Sequence, residues 1–276
     1  MQISLETSPV EQLSADALAV VCFEADETPE QRGNETAGSS ASVPDPEIAA
    51  QSGWLADLRT SREFTGKLYD IAILHRPQGI AAKRLVVVGG GKRAKFSSVE
   101  IRRVAGVLVR SLKGKGVRTV TLLLESTDPN DVSAAVEGAI LGNWEADKYK
   151  SDSKKHEKAI DGFAVAVPGD MSGELAKAVE AGQIIAEAQN VTRDLANEPA
   201  NKLTPAGLAD AAKSAASDYG LKYKELDQAA MAQLGMGALL GVAQGSSNPP
   251  FLISLEYRPA RTEGEDHLAL VGKGVT

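Results

Sequence analysis

The chain contains 276 residues, 43% of them hydrophobic, and its 30 Lys and Arg residues against 37 Asp and Glu residues give a formal net charge of −7. This length and composition predict one large or two ordinary folded domains and exclude wholesale disorder. The acidic balance argues against general affinity for nucleic acid, which is therefore not an expected partner, or for an anionic membrane surface.

Several further classes of site are excluded by what the sequence lacks. Its one cysteine, Cys22, excludes an intrachain disulfide framework, and the apolar run at 17–23 predicts a buried, unreactive thiol. No run approaches the roughly 18 apolar residues of a membrane helix, so no membrane partner is expected. The first residues carry neither the basic nor the apolar part of a signal peptide, so the expected compartment is the cytoplasm.

The first 168 residues alternate strand-like and helix-like segments, which predicts an α/β domain with a largely parallel or mixed sheet. Short runs rich in Ile, Leu and Val predict strands at 2–7, 17–23, 68–74, 84–88, 117–124 and 162–167. Helices are predicted at 48–59, from a cap at Ser97 or Ser98 to about Leu112, and at 131–148. The polar segment 24–45, rich in Gly, Ser and Pro, is predicted to be a surface loop.

A long helical pattern at 172–196 is predicted to connect this domain to a second α/β unit. It stops at Asn197-Glu198-Pro199, because proline prevents continuation of a helix. The second unit is predicted to contain helices at 205–219 and 228–234, a glycine-rich segment at 235–245, and strands at 221–226, 251–257 and 267–271. Only five residues follow the last apolar run, so we expect the chain to stop inside a domain.

Two glycine-rich segments partly match phosphate-binding loops. Gly89-Gly90-Gly91-Lys92 has neither the GxxxxGK[ST] nor the GxGxxG spacing, so a tight strand-to-helix turn is the preferred interpretation. Gly272-Lys273-Gly274 lacks both the Ser or Thr after the lysine and the upstream glycine. Nucleotide binding is therefore rejected at the second segment.

The remaining candidate side chains favour structural or surface roles. Three histidines, at 75, 156 and 267, are too far apart in sequence to form a metal-ligand pair. A basic run contains lysines at 148, 150, 154, 155 and 158, and a solvated helix end or loop is preferred there over a nucleic-acid contact. The residues alone therefore predict a two-unit α/β protein without a defined catalytic site.

Four stretches in the second half resemble the M17 leucyl (cytosol) aminopeptidases and follow the order shown by that family. They are TRDLANEPANKLTP at 192–205, LGMGALLGVAQGS at 234–246, PFLISLEY at 250–257 and LALVGKGVT at 268–276. Weaker matches, KRLVVVGGGK at 83–92 and GAILGNWEADKYKS at 138–151, resemble the amino-terminal domain of the family. The likeness spans nearly the whole chain, and its specific motifs begin at Arg193.

The resemblance implies an α/β fold in three parts. These are a macro-like amino-terminal domain with a mixed sheet and flanking helices at 1–168, a linker helix at 169–196, and an incomplete α/β metallopeptidase domain at 197–276. Members of the family remove amino-terminal residues, often leucine, from peptides. They use two divalent metal ions, such as manganese or zinc, and assemble as homo-hexamers, so the resemblance implies these ions and partners for the complete enzyme.

By the same resemblance, Lys273 in the motif GKGVT corresponds to a metal-binding lysine. The other ligands of the family, its second catalytic lysine and its bicarbonate-holding arginine have no counterpart in this sequence, so no catalytic residue is assigned. One amine does not supply the about four to six donors of a divalent ion. We therefore expect these 276 residues, by themselves, to bind no catalytic metal and to hydrolyse no peptide.

Two alternative functions use the amino-terminal domain. Some bacterial relatives also bind DNA as regulators, and the lysine run at 148–158 offers a modest electrostatic contact, although the net charge of −7 opposes it. The macro-like fold elsewhere holds ADP-ribose, but only Gly89-Gly90-Gly91 offers a phosphate-binding segment here. Both alternatives stay open on the sequence.

Overall fold

A computed structural model describes residues 1–25, 52–151, 158–169, 173–258 and 268–276. The chain divides into two compact units, Met1–Val191 and Thr192–Thr276. None of the helices in the described ranges has the length and apolar content that a bilayer crossing requires.

Six strands form the sheet of the first unit: β1 (Gln2–Glu6), β2 (Ala17–Cys22), β3 (Ile71–His75), β4 (Arg84–Gly89), β5 (Thr119–Leu123) and β6 (Gly162–Ala166). Their order across the sheet is β1-β6-β5-β2-β4-β3. Every neighbouring pair is parallel except β3 and β4. The mixed α/β sheet expected from the sequence is therefore confirmed.

Among the described residues, four α-helices accompany this sheet: α1 (Ser52–Ser61), α2 (Ser98–Leu112), α3 (Pro129–Asn143) and α4 (Gly173–Ala196). Ser97 caps α2, and its side chain accepts a hydrogen bond from the Val99 amide at 3.3 Å. Most of the predicted loop at 24–45, and the first residues of the helix predicted at 48–59, lie outside the described residues. The long helix predicted at 172–196 is confirmed from residue 173 onward.

Two predicted boundaries in the first unit differ from the observed ones by three or more residues. The strand predicted from residue 68 begins at Ile71, because residues 67–70 form a turn in which the Asp70 amide donates to the Lys67 carbonyl at 2.9 Å. The helix predicted to reach residue 148 ends at Asn143. There the side-chain amide of Asn143 donates to the Ile160 carbonyl at 2.9 Å, and Trp144 is extended, so the chain leaves the helix.

Apolar side chains cover both faces of the central strands. On one face, β2 and β4 pack with residues of α2, α3 and the start of α4. On the other face, the alternate residues of β2 and β4 pack with Leu55 of α1 and with Phe64. Burial on both faces explains why these strands read as continuous apolar runs.

Helices α2 and α3 cross at a short distance, with glycines at their contact. A Cβ atom at Gly142 would lie 2.6 Å from the carbonyl oxygen of Gly106. At Gly138 it would overlap the carbonyl oxygen of Arg102 and lie 2.8 Å from the carbonyl carbon. These separations are shorter than a Cβ atom tolerates, so the crossing depends on glycine at both positions of α3.

The described part of the second unit contains three further helices and a two-stranded antiparallel sheet: α5 (Pro205–Tyr219), α6 (Gln228–Gln233), α7 (Gly237–Ala243), β7 (Lys222–Leu226) and β8 (Leu252–Glu256). Thr204 caps α5 as predicted, since its side chain accepts from the Gly207 amide at 3.2 Å. Gly220 ends that helix in the left-handed conformation, with φ of 66°. The glycine-rich segment at 235–245 contains the helix α7.

The strand predicted at 267–271 is wrong for the residues that the structure describes. Residues 268–276 have no regular secondary structure, and Leu268, Leu270 and Val271 are 88%, 90% and 96% exposed. An isolated run of apolar residues does not form a strand without a neighbour that takes its backbone hydrogen bonds. No such neighbour pairs with this segment within the described ranges.

Candidate functional site

Lys273, the one metal ligand that the family resemblance implies, lies in the irregular segment 268–276 of the second unit. Lys273 is exposed, as are all the residues of this segment. The segment passes close to α5, because a Cβ atom at Gly274 would lie 3.8 Å from Cδ2 of Leu208. The role of Lys273 as a ligand remains a prediction.

The donor set of the described residues does not fit a pair of divalent ions. Within the ranges that the structure describes, no three side chains of His, Cys, Asp or Glu are grouped closely enough to hold a metal. Each ion requires several oxygen or nitrogen donors, and one lysine amine is not sufficient.

The tight strand-to-helix turn predicted at 89–92 is not observed: Gly89 is the last residue of β4, and the irregular residues 90–92 connect it to a short 3₁₀ helix at 93–95. The amides of Gly89, Gly90 and Gly91 donate to the carbonyls of Asp70, Cys22 and Gly66 at 2.8, 2.8 and 2.9 Å. A phosphate cradle requires backbone N–H groups that are free to face the ligand. Because all three amides already have backbone partners, this segment does not provide such a cradle.

Other candidate side chains also have structural explanations. Cys22 is buried, as expected from the sequence, and this burial raises the pKa of its thiol to about 11. His75 ends β3 with an exposed side chain, whereas His156 and His267 lie outside the described residues.

The basic run is only partly described. Lys150 forms an ion pair with Asp147, and the Lys148 amine lies 5.7 Å from the centre of the Tyr149 ring. The lysines at 154 and 155 lie outside the described residues. Lys148 and Lys150 are therefore engaged with nearby residues in the chain.

A cleft of about 340 Å³ lies at the carboxyl ends of β2 and β5 in the first unit, and we call it the β2–β5 cleft. Its position follows from the topology of the sheet. Strands β3 and β4 lie on one side of β2, and after β4 the chain crosses back through α2 to form β5 on the other side of β2. Ligands of open α/β sheets bind at such a reversal. The lining residues are Val21, Phe23, Arg93, Phe96, Ser97, Ile101, Leu123, Leu124, Glu125, Ser126 and Asp131.

Aromatic and charged side chains at the cleft hold one another in place. The rings of Phe23 and Phe96 meet edge to face, with centroids 5.0 Å apart. The guanidinium carbon of Arg93 lies 4.7 Å from the centre of the Phe23 ring, and Nη2 of Arg93 lies 2.5 Å from Oε2 of Glu125. Asp131 accepts a hydrogen bond from the Ser98 hydroxyl at 2.7 Å.

Both helices that begin beside the cleft are capped by their own side chains. Ser97 and Glu100 form a reciprocal capping box at α2. At α3, the Asp128 side chain accepts from the Asn130 amide at 2.9 Å. These acceptors take the place that an anion occupies at an uncapped helix start.

The fold defines the class: a two-unit α/β protein whose first unit is a mixed sheet with apolar helices on both faces. Within that class, residues 34–153 match the model of the amino-terminal domain of the cytosol aminopeptidase family, and residues 190–276 match its catalytic domain. The chain belongs to the cytosol aminopeptidase family, which confirms the resemblance carried by the sequence motifs.

Two curated relatives match over the whole chain. A probable cytosol aminopeptidase from Solibacter usitatus is 48% identical over 278 residues, which cover 100% of this chain and 52% of the relative. Another from Koribacter versatilis is 38% identical over 300 residues, which cover 100% of this chain and 56% of the relative. The chain thus spans about half the length of these relatives.

Solved structures of similar fold have the same partial overlap. A mutant of tomato leucine aminopeptidase matches with a TM-score of 0.78 and 25% identity, over 95% of this chain and 52% of that one. The bottromycin maturation enzyme BotP in complex with Mn matches with a TM-score of 0.65 and 25% identity, over 90% of this chain and 46% of that one.

Sequence reasoning found the motifs of the second unit and missed the β2–β5 cleft. The lining residues of the cleft come from the ends of two strands and the starts of two helices, and they form no sequence motif. The order of the predicted elements was the one indication of the cleft in the sequence: the predicted strands that end at residues 23 and 124 stand before and after a predicted crossover helix.

Proposed function

We propose that residues 1–276 are the amino-terminal part of a metal-dependent leucyl aminopeptidase that hydrolyses the amino-terminal residue, often leucine, from peptides. The observation that supports this most strongly is the match of residues 190–276 to the catalytic domain of the family. The 48% identity to a probable cytosol aminopeptidase along the whole chain supports the same function.

In this proposal the chain has three parts. Residues 1–168 form the macro-like domain, 169–196 the linker helix, and 197–276 the start of the catalytic domain. A homo-hexamer and a cytoplasmic location belong to the same proposal, and the hexamer rests on the family resemblance alone. Peptides are the proposed substrates because the matched relatives are named as aminopeptidases.

Two divalent ions, manganese or zinc, belong to the complete enzyme in this proposal, with Lys273 as one nitrogen ligand. The motif GKGVT at 272–276 supports the ligand role, and the complex of BotP with Mn supports a divalent cation. Since the described residues of this chain hold no cluster of carboxylates or imidazoles, we propose that residues 1–276 alone retain neither ion and hydrolyse no peptide.

A chimera tests the proposed function directly. Residues 1–276 replace the matching part of the Solibacter usitatus relative, and hydrolysis of a leucine chromogenic amide is measured with manganese. We expect activity comparable to the parent relative. A folded chimera without activity, beside an active parent, would refute the function proposed for this chain.

The same chimera tests Lys273. Lys273→Ala is expected to lower the rate by at least about 100-fold, since even the outer partners of metal ligands contribute 10- to 100-fold. Lys222→Ala is the matched control, because Lys222 is also an exposed lysine of the second unit. Equal rates for the two variants would remove Lys273 from the ligand set.

A further inference from the structure

We propose that the β2–β5 cleft binds a free amino acid with an apolar side chain. The cleft lies where the strand order reverses, outside the carboxyl ends of the strands, which is where open α/β sheets bind ligands. Its volume of about 340 Å³ lies at the small end of the range for ligand pockets. This inference is independent of the proposed function, since the cleft lies wholly within the first unit.

The interior of the cleft accepts an apolar side chain. Ile101 and Leu124 are buried in its floor, and Val21 and Leu123 are half-buried beside them. Phe23 supplies one wall, where its ring meets Phe96 edge to face. A branched aliphatic or aromatic side chain gains contact with these groups as it leaves water.

The rim of the cleft carries both signs of charge at short range. Arg93 offers a forked set of N–H donors that suits a carboxylate, and Glu125 offers carboxylate oxygens that suit an ammonium group. When an amino acid binds, its carboxylate takes the place of Glu125 on Arg93, and its ammonium takes the place of Arg93 on Glu125. Every charge stays paired in this exchange.

This exchange costs little free energy, because the Arg93–Glu125 ion pair is accessible to solvent. The side chains of Arg93 and Glu125 are 58% and 32% exposed, and exposed ion pairs contribute little to stability. Ligand binding therefore breaks a weak interaction and forms two charge-assisted ones.

The same surroundings disfavour phosphate-bearing ligands such as ADP-ribose. Two carboxylates, Glu125 and Asp131, line the cleft against one guanidinium, Arg93, so its charged groups favour a ligand that carries an amine. The glycine amides at 89–91 donate to backbone carbonyls, and both adjacent helix starts are capped by side chains. The described residues therefore give the cleft no cluster of N–H groups of the kind that a phosphate requires.

Isothermal titration calorimetry on the 276-residue chain tests the ligand class. The probes are L-leucine, 3-methylbutylamine, which lacks the carboxylate, 4-methylpentanoate, which lacks the amine, and ADP-ribose. We expect one leucine per chain, at least tenfold weaker binding of each truncated analogue, and no competition by ADP-ribose. Absence of leucine binding at millimolar concentrations, analogue affinities equal to that of leucine, or competition by ADP-ribose would each overturn the proposal.

Adjacent substitutions test the location. Ser126 lines the cleft, whereas its exposed neighbour Thr127 does not, so Ser126→Trp fills the cleft and Thr127→Trp is the matched control. We expect leucine affinity to fall at least tenfold in the first variant only. Equal leucine affinity in the two variants would refute the location.

Arg93→Gln provides a second test of the binding site that does not depend on the folding of Ser126→Trp. Arg93→Gln alters a largely exposed side chain, and we expect it to weaken leucine at least tenfold while 3-methylbutylamine changes less than threefold. Equal weakening of both probes, or unchanged leucine binding, would overturn the proposed exchange of ion pairs.

Discussion

Replacement of Gly138 by alanine perturbs the crossing of α2 and α3 at a defined point. The new Cβ atom would overlap the carbonyl oxygen of Arg102 and would lie 3.0 Å from the Cβ atom of Ala105. The oxygen belongs to the backbone of α2, so it has no rotamer by which to move away. The two helices must therefore separate, and the residues buried between them lose contact.

The expected cost combines two opposing effects. Overpacking in a well-packed core costs about 1–3 kcal/mol, and the upper end applies here because the obstructing atom is in the backbone. Alanine recovers about 1 kcal/mol of helix propensity relative to glycine. The net expectation is a loss of about 2 kcal/mol in the free energy of unfolding, or about 4–8 °C in Tm for a unit of this size.

Urea unfolding followed by tryptophan fluorescence measures this change. The two tryptophans of the chain, Trp54 and Trp144, both lie in the first unit, so their fluorescence reports on that unit. Gly53→Ala in α1 is the matched control, because a Cβ atom there meets no atom within 4 Å. We expect the control to gain about 0.5–1 kcal/mol. Equal shifts in the two variants would refute the reasoning from the helix crossing.

Three further predictions concern the first unit. Hydrogen bonds from Lys83 and from the Arg118 amide hold the pKa of Asp16 below its usual value. The ionised Asp16 side chain therefore contributes fully to stability above pH about 4, and this contribution is lost as the pH falls through the lower pKa of the folded state. Asp16→Asn should therefore flatten the decline of Tm measured on acidification from pH 5, and an unchanged decline would contradict this. The Cys22 thiol should react with a disulfide reagent at neutral pH only after unfolding, since burial raises its pKa to about 11, and rapid reaction of the native chain would exclude this environment. Ser97→Ala should lower the free energy of unfolding by about 1 kcal/mol through loss of the α2 cap, whereas Thr127→Ala should leave it unchanged.

The sequence predicts the buried sheet well where hydrophobic burial alone decides the structure. The apolar runs of β2, β4 and β5 are strands because both faces of the sheet are covered. Ser97, one of the two caps predicted for α2, and Thr204, the predicted cap of α5, both cap their helices, because capping depends on side chains within the same turn.

The sequence does not predict features that depend on contacts between residues far apart in the chain. The helix α3 ends at Asn143 because that side chain binds the backbone of Ile160, a residue that local periodicity does not detect. The apolar segment 268–271 has strand propensity, yet no described strand pairs with it. The β2–β5 cleft exists only after the chain returns from β4 to β5, so its residues show no common spacing in sequence.

Metal analysis of the purified 276-residue chain tests the account most directly. The chain is equilibrated with manganese or zinc, passed through a desalting column, and analysed for metal ions retained per chain. We predict far less than one ion per chain, because the described residues offer Lys273 without a surrounding cluster of carboxylates or imidazoles. Two ions retained per chain would contradict it.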